Sequence, residues 1–378
     1  MEEWKEYKLG EVLTIKYGKD HKQLADGDRP IYGSGGIMRY GDRSLYDGPS
    51  ILIPRKGSLN NVIYADKPFW TVDTMFWSII NDSIANPLFV YYSICKKDFA
   101  SLNVGSAVPS LTVPVIEDID ILLPSKATQG KVVSVLKSLD DKIEVNRRIN
   151  DNLEQQAQAL FKSWFVDFEP FKKGKFIDSE LGMIPEGWQV EELGNITNSI
   201  TEKVGKRTDI KVLSPVNTGE LLLSEEYFTK QVYSKNLAKY IMVAPNDFSY
   251  NPARINIGSI GMNTFDFSGC VSPVYVVFRC EKGYHHFFNI FKTTKNFKEE
   301  VNTRAIGGVR QTLSYKDFSL IKIVYPPKEV VEQFNRIYSH IMTLIKKNVL
   351  ENKRLHQTRD TLLPKLMSGN LKINDINN

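Results

Sequence analysis

Two long stretches of this chain place apolar residues at alternating spacings of three and four. In the first, positions 136, 139, 143, 146, 150, 153, 157, 160 and 164 hold Leu, Leu, Ile, Asn, Asn, Leu, Ala, Leu and Trp. In the second, Tyr338, Ile341, Ile345, Asn348, Asn352, Leu355, Arg359 and Leu362 keep the same register. A stripe of this period holds one helix face against a partner helix, and asparagine within it costs stability while fixing register. The pattern therefore predicts long helices at 125–168 and 327–368. Leu136, Leu139, Ile143, Asn146, Asn150, Leu153 and Leu160 of the first would pair with Ile341, Ile345, Asn348, Asn352, Leu355 and Leu362 of the second. The expected arrangement is an antiparallel coiled coil with pseudo-twofold character.

Elsewhere the period falls to two. Ser50-Ile-Leu-Ile-Pro, Asn61-Val-Ile-Tyr and Trp70 to Ile80 read as strands, as do Tyr240-Ile-Met-Val, Val271 to Phe278 and Leu320 to Tyr325. Turn-forming loops separate them, among them Tyr32-Gly-Ser-Gly-Gly and Arg55-Lys-Gly-Ser-Leu-Asn-Asn. His285 to Glu300 reads as helix. The fold class is α+β: two β-rich mixed domains, 1–124 and 187–326, each followed by a long helix. Residues 169–186 form a linker and 369–378 a tail.

The two halves also repeat in detail. Trp4, Leu9 and Gly10 are echoed by Trp188, Leu193 and Gly194, and Gly105-Ser-Ala-Val-Pro-Ser-Leu-Thr by Gly307-Gly-Val-Arg-Gln-Thr-Leu-Ser. Within the helices Leu139/Ile341, Ile143/Ile345, Asn146/Asn348, Asn150/Asn352, Leu153/Leu355 and Leu160/Leu362 share one offset of 202. Solenoid repeats have periods of about 20–50 residues, so this is a duplication of whole domains.

Composition narrows the class rather than the function. The chain of 378 residues has ordinary apolar and charged fractions and a net charge of +5. No apolar run approaches the roughly 20 residues that span a bilayer, and Met-Glu-Glu-Trp-Lys lacks the features of a signal peptide. No membrane partner and a cytoplasmic location are expected. Three cysteines without close pairing argue against a disulfide scaffold or a zinc site. The positive balance falls in residues 187–378, while 1–124 are slightly acidic. Even so, Arg29, Arg39, Arg43, Arg55 and Lys56 cluster within a glycine- and aromatic-rich stretch.

Catalytic signatures are missing. The chain contains no Gly-x4-Gly-Lys-Ser/Thr phosphate loop and no dinucleotide fingerprint. His285-His286, at i and i+1, cannot present both rings to one metal from a helix. Asn251-Pro-Ala-Arg begins like the Asn-Pro-Pro-Tyr loop of adenine methyltransferases but lacks the second proline and the aromatic residue. No catalytic, metal or cofactor residue is assigned. The loops instead carry groups suited to a duplex: arginine pairs with guanine, asparagine and glutamine pair with adenine, and lysine or serine holds phosphate. The candidate DNA-binding residues are Arg39, Arg55, Lys56, Ser58, Asn60, Asn61, Ser106 and Ser110 in the first domain. In the second they are Arg254, Asn256, Ser259, Asn263, Arg310, Gln311 and Ser314.

The run Gln158-Ala-Leu-Phe-Lys-Ser-Trp-Phe-Val-Asp-Phe-Glu-Pro-Phe resembles the central conserved region of type I restriction–modification specificity subunits. Thr361-Leu-Leu-Pro-Lys-Leu-Met-Ser-Gly-Asn-Leu resembles their distal conserved region. Leu123-Pro and Pro326-Pro before the helices fit the same pattern. The resemblance implies two target-recognition domains, each reading half of a bipartite site in double-stranded DNA. It implies helices that set the gap and dock two modification (methyltransferase) subunits, with restriction (motor/nuclease) subunits added outside. S-adenosylmethionine, ATP and magnesium would then belong to those partners, and the chain alone would not be an enzyme. The competing readings are a self-contained methyltransferase or nuclease, and a coiled-coil adaptor that binds no DNA.

Overall fold

The computed structural model describes residues 4–105, 107–228, 230–305 and 312–371. The chain divides into two compact units, residues 1–147 with 348–378, and residues 148–347. Each unit therefore owns one β-rich domain and a half of each long helix.

In the first unit a four-stranded antiparallel sheet has the order Leu13–Tyr17, Met75–Ile80, Ser50–Pro54, Ile63–Ala65. Beside it lies a three-stranded sheet of Gly36–Gly41, Asp26–Gly33 and Trp70–Thr71. Lys5–Lys8 pairs with Asp120–Leu123 and closes the domain just before the helix begins. In the second unit the four-stranded sheet runs Thr197–Ser199, Val276–Cys280, Phe248–Tyr250, Ile260–Met262. Numbered along the chain, both sheets have the order first, fourth, second, third. Gln189–Glu192 pairs with Lys322–Tyr325 just as the terminal strands do in the first unit. The duplication is thus one of topology and not only of motifs.

Two predicted strands are interrupted at the same place in the repeat. Trp70 to Ile80 divides into Trp70–Thr71 and Met75–Ile80, and the Val271 strand divides into Gly269–Val271 and Val276–Cys280. The chain changes sheet at Val72–Thr74 and at Ser272–Tyr275, the second turn carrying Pro273, which cannot donate to a ladder. The helix expected at 285–300 is two, His285–Phe291 and Lys295–Arg304, because Thr294 caps the second by accepting from Phe297 N. The mostly exposed segment expected to be a linker carries short elements of its own. Phe168 takes a left-handed conformation (φ 53°), Phe168 and Phe171 pack edge-on against Trp188, and Phe176–Ile177 forms a hairpin with Ile184–Pro185.

The long helices are Lys126–Phe165 and Lys328–Met367. Within the first unit they run antiparallel: Asn146 Nδ2 donates to Asn352 Oδ1 at 2.9 Å and to Glu351 at 2.8 Å, and Arg359 meets Asp140 at 2.7 Å. Leu136 is fully buried, while Leu139, Ile143, Leu355 and Leu362 are half-buried. Within the second unit Asn150 Nδ2 donates to Ile345 O at 3.4 Å, and Phe165 lies edge-on to Phe334. Leu153, Leu160, Ile341 and Ile345 belong to that unit's core, whereas Asn348, half-buried, lies in the first unit. Asn352 Nδ2 donates to Ile143 O in the first unit, which is the Asn150 contact shifted by 202 residues at both ends. Asparagine thus anchors a backbone carbonyl of the facing helix in each unit. Pro364 lies inside the second helix, where it removes one backbone donor, yet Leu363 and Leu366 beside it are buried in the first unit's core and hold the last turn.

Candidate nucleic-acid interface

In each unit the loop joining the two strands at one side of the four-stranded sheet is tied by a backbone hydrogen bond to a distant stretch of the same unit, which in the first unit is a glycine-containing turn. In the first unit this loop follows Pro54. Leu59 and Val62 are buried and tack it to the core. Arg55 N donates to Thr74 O at 2.8 Å, Leu111 N to Arg55 O at 2.9 Å, and Gly57 N to Pro109 O at 3.2 Å. Lys56 faces Ser110 in an antiparallel bridge. The side chain of Asn103 organises the partner turn: its Oδ1 accepts from Gly105 N and Ser110 N, both at 2.8 Å. A Cβ on Gly105 would fall 2.2 Å from Val108 O, so only glycine lets the turn close. Arg55, Lys56 and Ser110 are thereby brought together, with Ser58 exposed on the same loop.

The guanidinium of Arg55 lies over the ring of Tyr17, 5.8 Å from its centroid, and its buried Nε has no hydrogen-bond partner among the described residues. Tyr17 was not singled out from the sequence. The alternation Leu13, Ile15, Tyr17 points to the core, yet Tyr17 is 56% exposed because it ends the strand where Gly18 turns away. That alternation is the wrong signal for finding it.

The second unit builds the same device. The loop from Tyr250 to Ile260 is tacked down by buried Ile255, and Leu313 N donates to Pro252 O at 3.1 Å, as Leu111 does in the other unit. Gly258 has φ +93° and lies against Asn217 O, so the loop needs glycine there. Arg254 and Asn256 project from this loop and are exposed. Ser106, Arg310 and Gln311 lie outside the described residues.

Several of the candidate side chains are bonded within the protein, Ser259 and Asn263 in buried positions and Asn60 and Ser314 on the surface. The Arg39 guanidinium donates to the carbonyls of His21 and Leu24 at 2.7 and 2.9 Å and pairs with Asp26, so it fastens its own hairpin. Asn60 donates to Asp98 and accepts from Ala100 N, and Asn61 donates to Ser34 O. Ser259 is buried and donates to Pro215 O; Asn263 is fully buried and donates to Val243 O and Phe267 O. Ser314 caps the turn Tyr315–Phe318 by accepting from Asp317 N. Ser314 is bonded within its own turn, whereas the bonds of the other five reach segments distant in the chain.

Among the described residues no group of three or more His, Cys, Asp or Glu could hold a metal ion, and no helix is long and apolar enough to cross a membrane. Burial pushes the thiols of Cys95 and Cys270 up to about 11 and about 12, which keeps them protonated and unreactive. Burial also lowers His286 to about 4 and Lys292 to about 8. Lys292 spends its ammonium on Gly219 O at 2.7 Å within the second unit.

Residues 1–155 match the family model of the type I restriction modification DNA specificity domain. The chain is similar to the type I restriction enzyme MjaIX specificity subunit of Methanocaldococcus jannaschii, 27% identical over 368 residues, covering 88% of this chain and 80% of that protein. It is also similar to the HindI specificity subunit of Haemophilus influenzae, 25% identical over 330 residues, covering 70% and 71%. In fold it resembles the crystal structure of a type I restriction–modification S subunit from M. genitalium, with a TM-score of 0.63, 15% identity, and 97% and 96% of the two chains covered.

Proposed function

We propose, from the match of residues 1–155 to the type I restriction modification DNA specificity domain and the likeness to type I specificity subunits, that this chain is such a subunit and selects the DNA sequence on which partner subunits act. In this reading each β-rich domain reads half of a bipartite site in double-stranded DNA. The long helices dock two modification subunits, and restriction subunits join outside them. Methyl transfer and cleavage, with S-adenosylmethionine, ATP and magnesium, belong to the partners, and the chain alone is not a catalyst.

The observation that carries the proposal is the duplicated loop device. Both units pin a strand-to-strand loop to a distant segment through a backbone hydrogen bond at a matching position, from Leu111 N to Arg55 O and from Leu313 N to Pro252 O. Such pinning presents side chains from a rigid base: exposed Lys56 and Ser58 beside half-buried Arg55 and Ser110 in one unit, and exposed Arg254 and Asn256 in the other. Arginine and asparagine match base edges bidentately, while lysine and serine match phosphate.

The test is to assemble the chain with its modification subunits and map methylated adenines. Methylation at one interrupted sequence, absent when either loop is replaced by glycine and serine, supports the reading. Methyl transfer by the pure chain alone, or a continuous target sequence, overturns it.

A further inference from the structure

The two units insert a lobe at the same point of their repeated topology, between the first and second strands of the four-stranded sheet. The lobes differ in how their positive charge is treated. In the first unit Arg29, Arg39 and Arg43 are each paired with a neighbouring aspartate, Asp28 at 3.4 Å, Asp26 at 3.2 Å and Asp42 at 3.5 Å. In the second unit Lys203, Lys206, Lys230, Lys235 and Lys239 are all exposed, and among the described residues none makes an ion pair or a side-chain hydrogen bond. Arg207 alone among its basic neighbours is bridged, to Glu202 at 2.6 Å.

These lysines come from two chain segments that the backbone joins. Val204 N donates to Tyr240 O at 2.9 Å, Gly205 N to Ala238 O at 3.0 Å, and Lys203 faces Ile241 in an antiparallel bridge. Ser234 N donates to the Tyr240 hydroxyl, which folds the loop carrying Lys230 and Lys235 back onto this ribbon. Residues 228–240 contain no acidic side chain, and residues 203–211 contain only Asp209. Like charges held on one ribbon repel, and a polyanion relieves that repulsion. Lysine, a compact hydrated point charge, suits phosphate rather than a base edge.

We propose that this lysine lobe binds the phosphate backbone of duplex DNA and carries most of the chain's salt-dependent affinity, with the neutralised lobe of the first unit adding little. The inference rests on the nucleic-acid reading above and adds an asymmetry to it: two domains of one topology, one of which supplies most of the electrostatic grip.

The full chain would be titrated against a labelled duplex of random sequence across a series of salt concentrations. The variant Lys203→Gln/Lys206→Gln/Lys239→Gln is compared with Arg29→Gln/Arg43→Gln, and urea midpoints confirm that both are folded. Each lost phosphate contact lowers the slope of log K against log salt by about 0.9, so the lysine variant should lose about two to three. Its affinity at low salt should fall at least tenfold, and Lys→Arg at the same three positions should restore both. The arginine variant should keep the wild-type slope. An unchanged slope in the lysine variant, or an equal loss in the arginine variant, overturns the proposal while leaving DNA binding intact. A wild-type chain that fails to retain the duplex even at low salt overturns the nucleic-acid reading and this inference with it.

Discussion

Replacing Arg359 by alanine would strand a carboxylate between the two long helices. Asp140 Oδ1 receives Arg359 Nη1 at 2.7 Å and its Oδ2 receives the Tyr92 hydroxyl at 2.6 Å. The two charged side chains are 33% and 21% exposed. Fully exposed pairs contribute about 0–1 kcal/mol, whereas removing one partner of a fully buried pair costs about 3–5 kcal/mol. This pair lies between those limits and Tyr92 still serves one oxygen, so Arg359→Ala should cost about 1–2 kcal/mol. The repeat supplies its own reference. At an offset of 202 the equivalent positions in the second unit are Met342 and Ala157, both in that unit's apolar core. Asp140→Met/Arg359→Ala would copy that apolar solution into the first unit. Asp140→Met alone leaves Arg359 its contact with Asp360 at 3.0 Å, but orphans the Tyr92 hydroxyl, at about 1 kcal/mol. The double variant should therefore lose less than the sum of the singles, with a coupling of about 1 kcal/mol. Urea unfolding of the full chain at neutral pH measures all four corners, with the emission of Trp4, Trp70 and Trp77 reporting the first unit. Additivity within about 0.3 kcal/mol would refute the claim that the two charges act as one element.

A fragment truncated after Phe171 would keep the first long helix and lose the second, leaving its seam free to pair with another copy of itself. Self-pairing of its helix would set Asp140 opposite Ala157 of the second copy, so Asp140→Met should tighten any dimer seen in sedimentation equilibrium; no change would mean that the position does not discriminate. Arg254→Ala should relax one half-site by about 1–3 kcal/mol, the scale of a lost bidentate base contact, whereas Lys56→Ala should weaken all sequences alike; methylation of an unchanged site at an unchanged rate by the Arg254 variant removes it from the interface. Gly105→Ala forces a Cβ against Val108 O and should cost recognition by the first domain only, read as loss of one half-site in the methylation map. His286 is depressed to about 4 by burial and by His285, so the unfolded chain takes up its proton first as pH falls. The stability it contributes is complete above about pH 6.5 and is lost toward pH 4; His286→Phe should flatten that fall by on the order of 1–2 kcal/mol in urea midpoints measured across this range.

The chain's own pattern determined the two long helices, their asparagines and the duplication, because heptad periodicity and a constant offset are one-dimensional signals. Asn150 and Asn352 lie at matching positions in the sequence and make matching bonds to Ile345 O and Ile143 O. Where contacts depend on residues distant in the chain, the pattern was silent or misleading. Nothing local shows that Arg39 is used up on His21 and Leu24, that Asn263 is buried, or that the strand beginning at Trp70 breaks to change sheets. Charge was the clearest case. The arginines of the first domain form the more conspicuous basic cluster in the sequence, yet Arg29 and Arg43 already adjoin Asp28 and Asp42 in the chain, and folding sets Asp26 beside Arg39 and Tyr17 beneath Arg55. The lysines near 203 and 239 are far apart in the chain, and only the pairing of residues 203–205 with 238–241 puts their unneutralised charge on one ribbon. Periodicity is a property of the chain; whether a charge or a hydrogen-bonding group is still free is a property of what folding sets beside it.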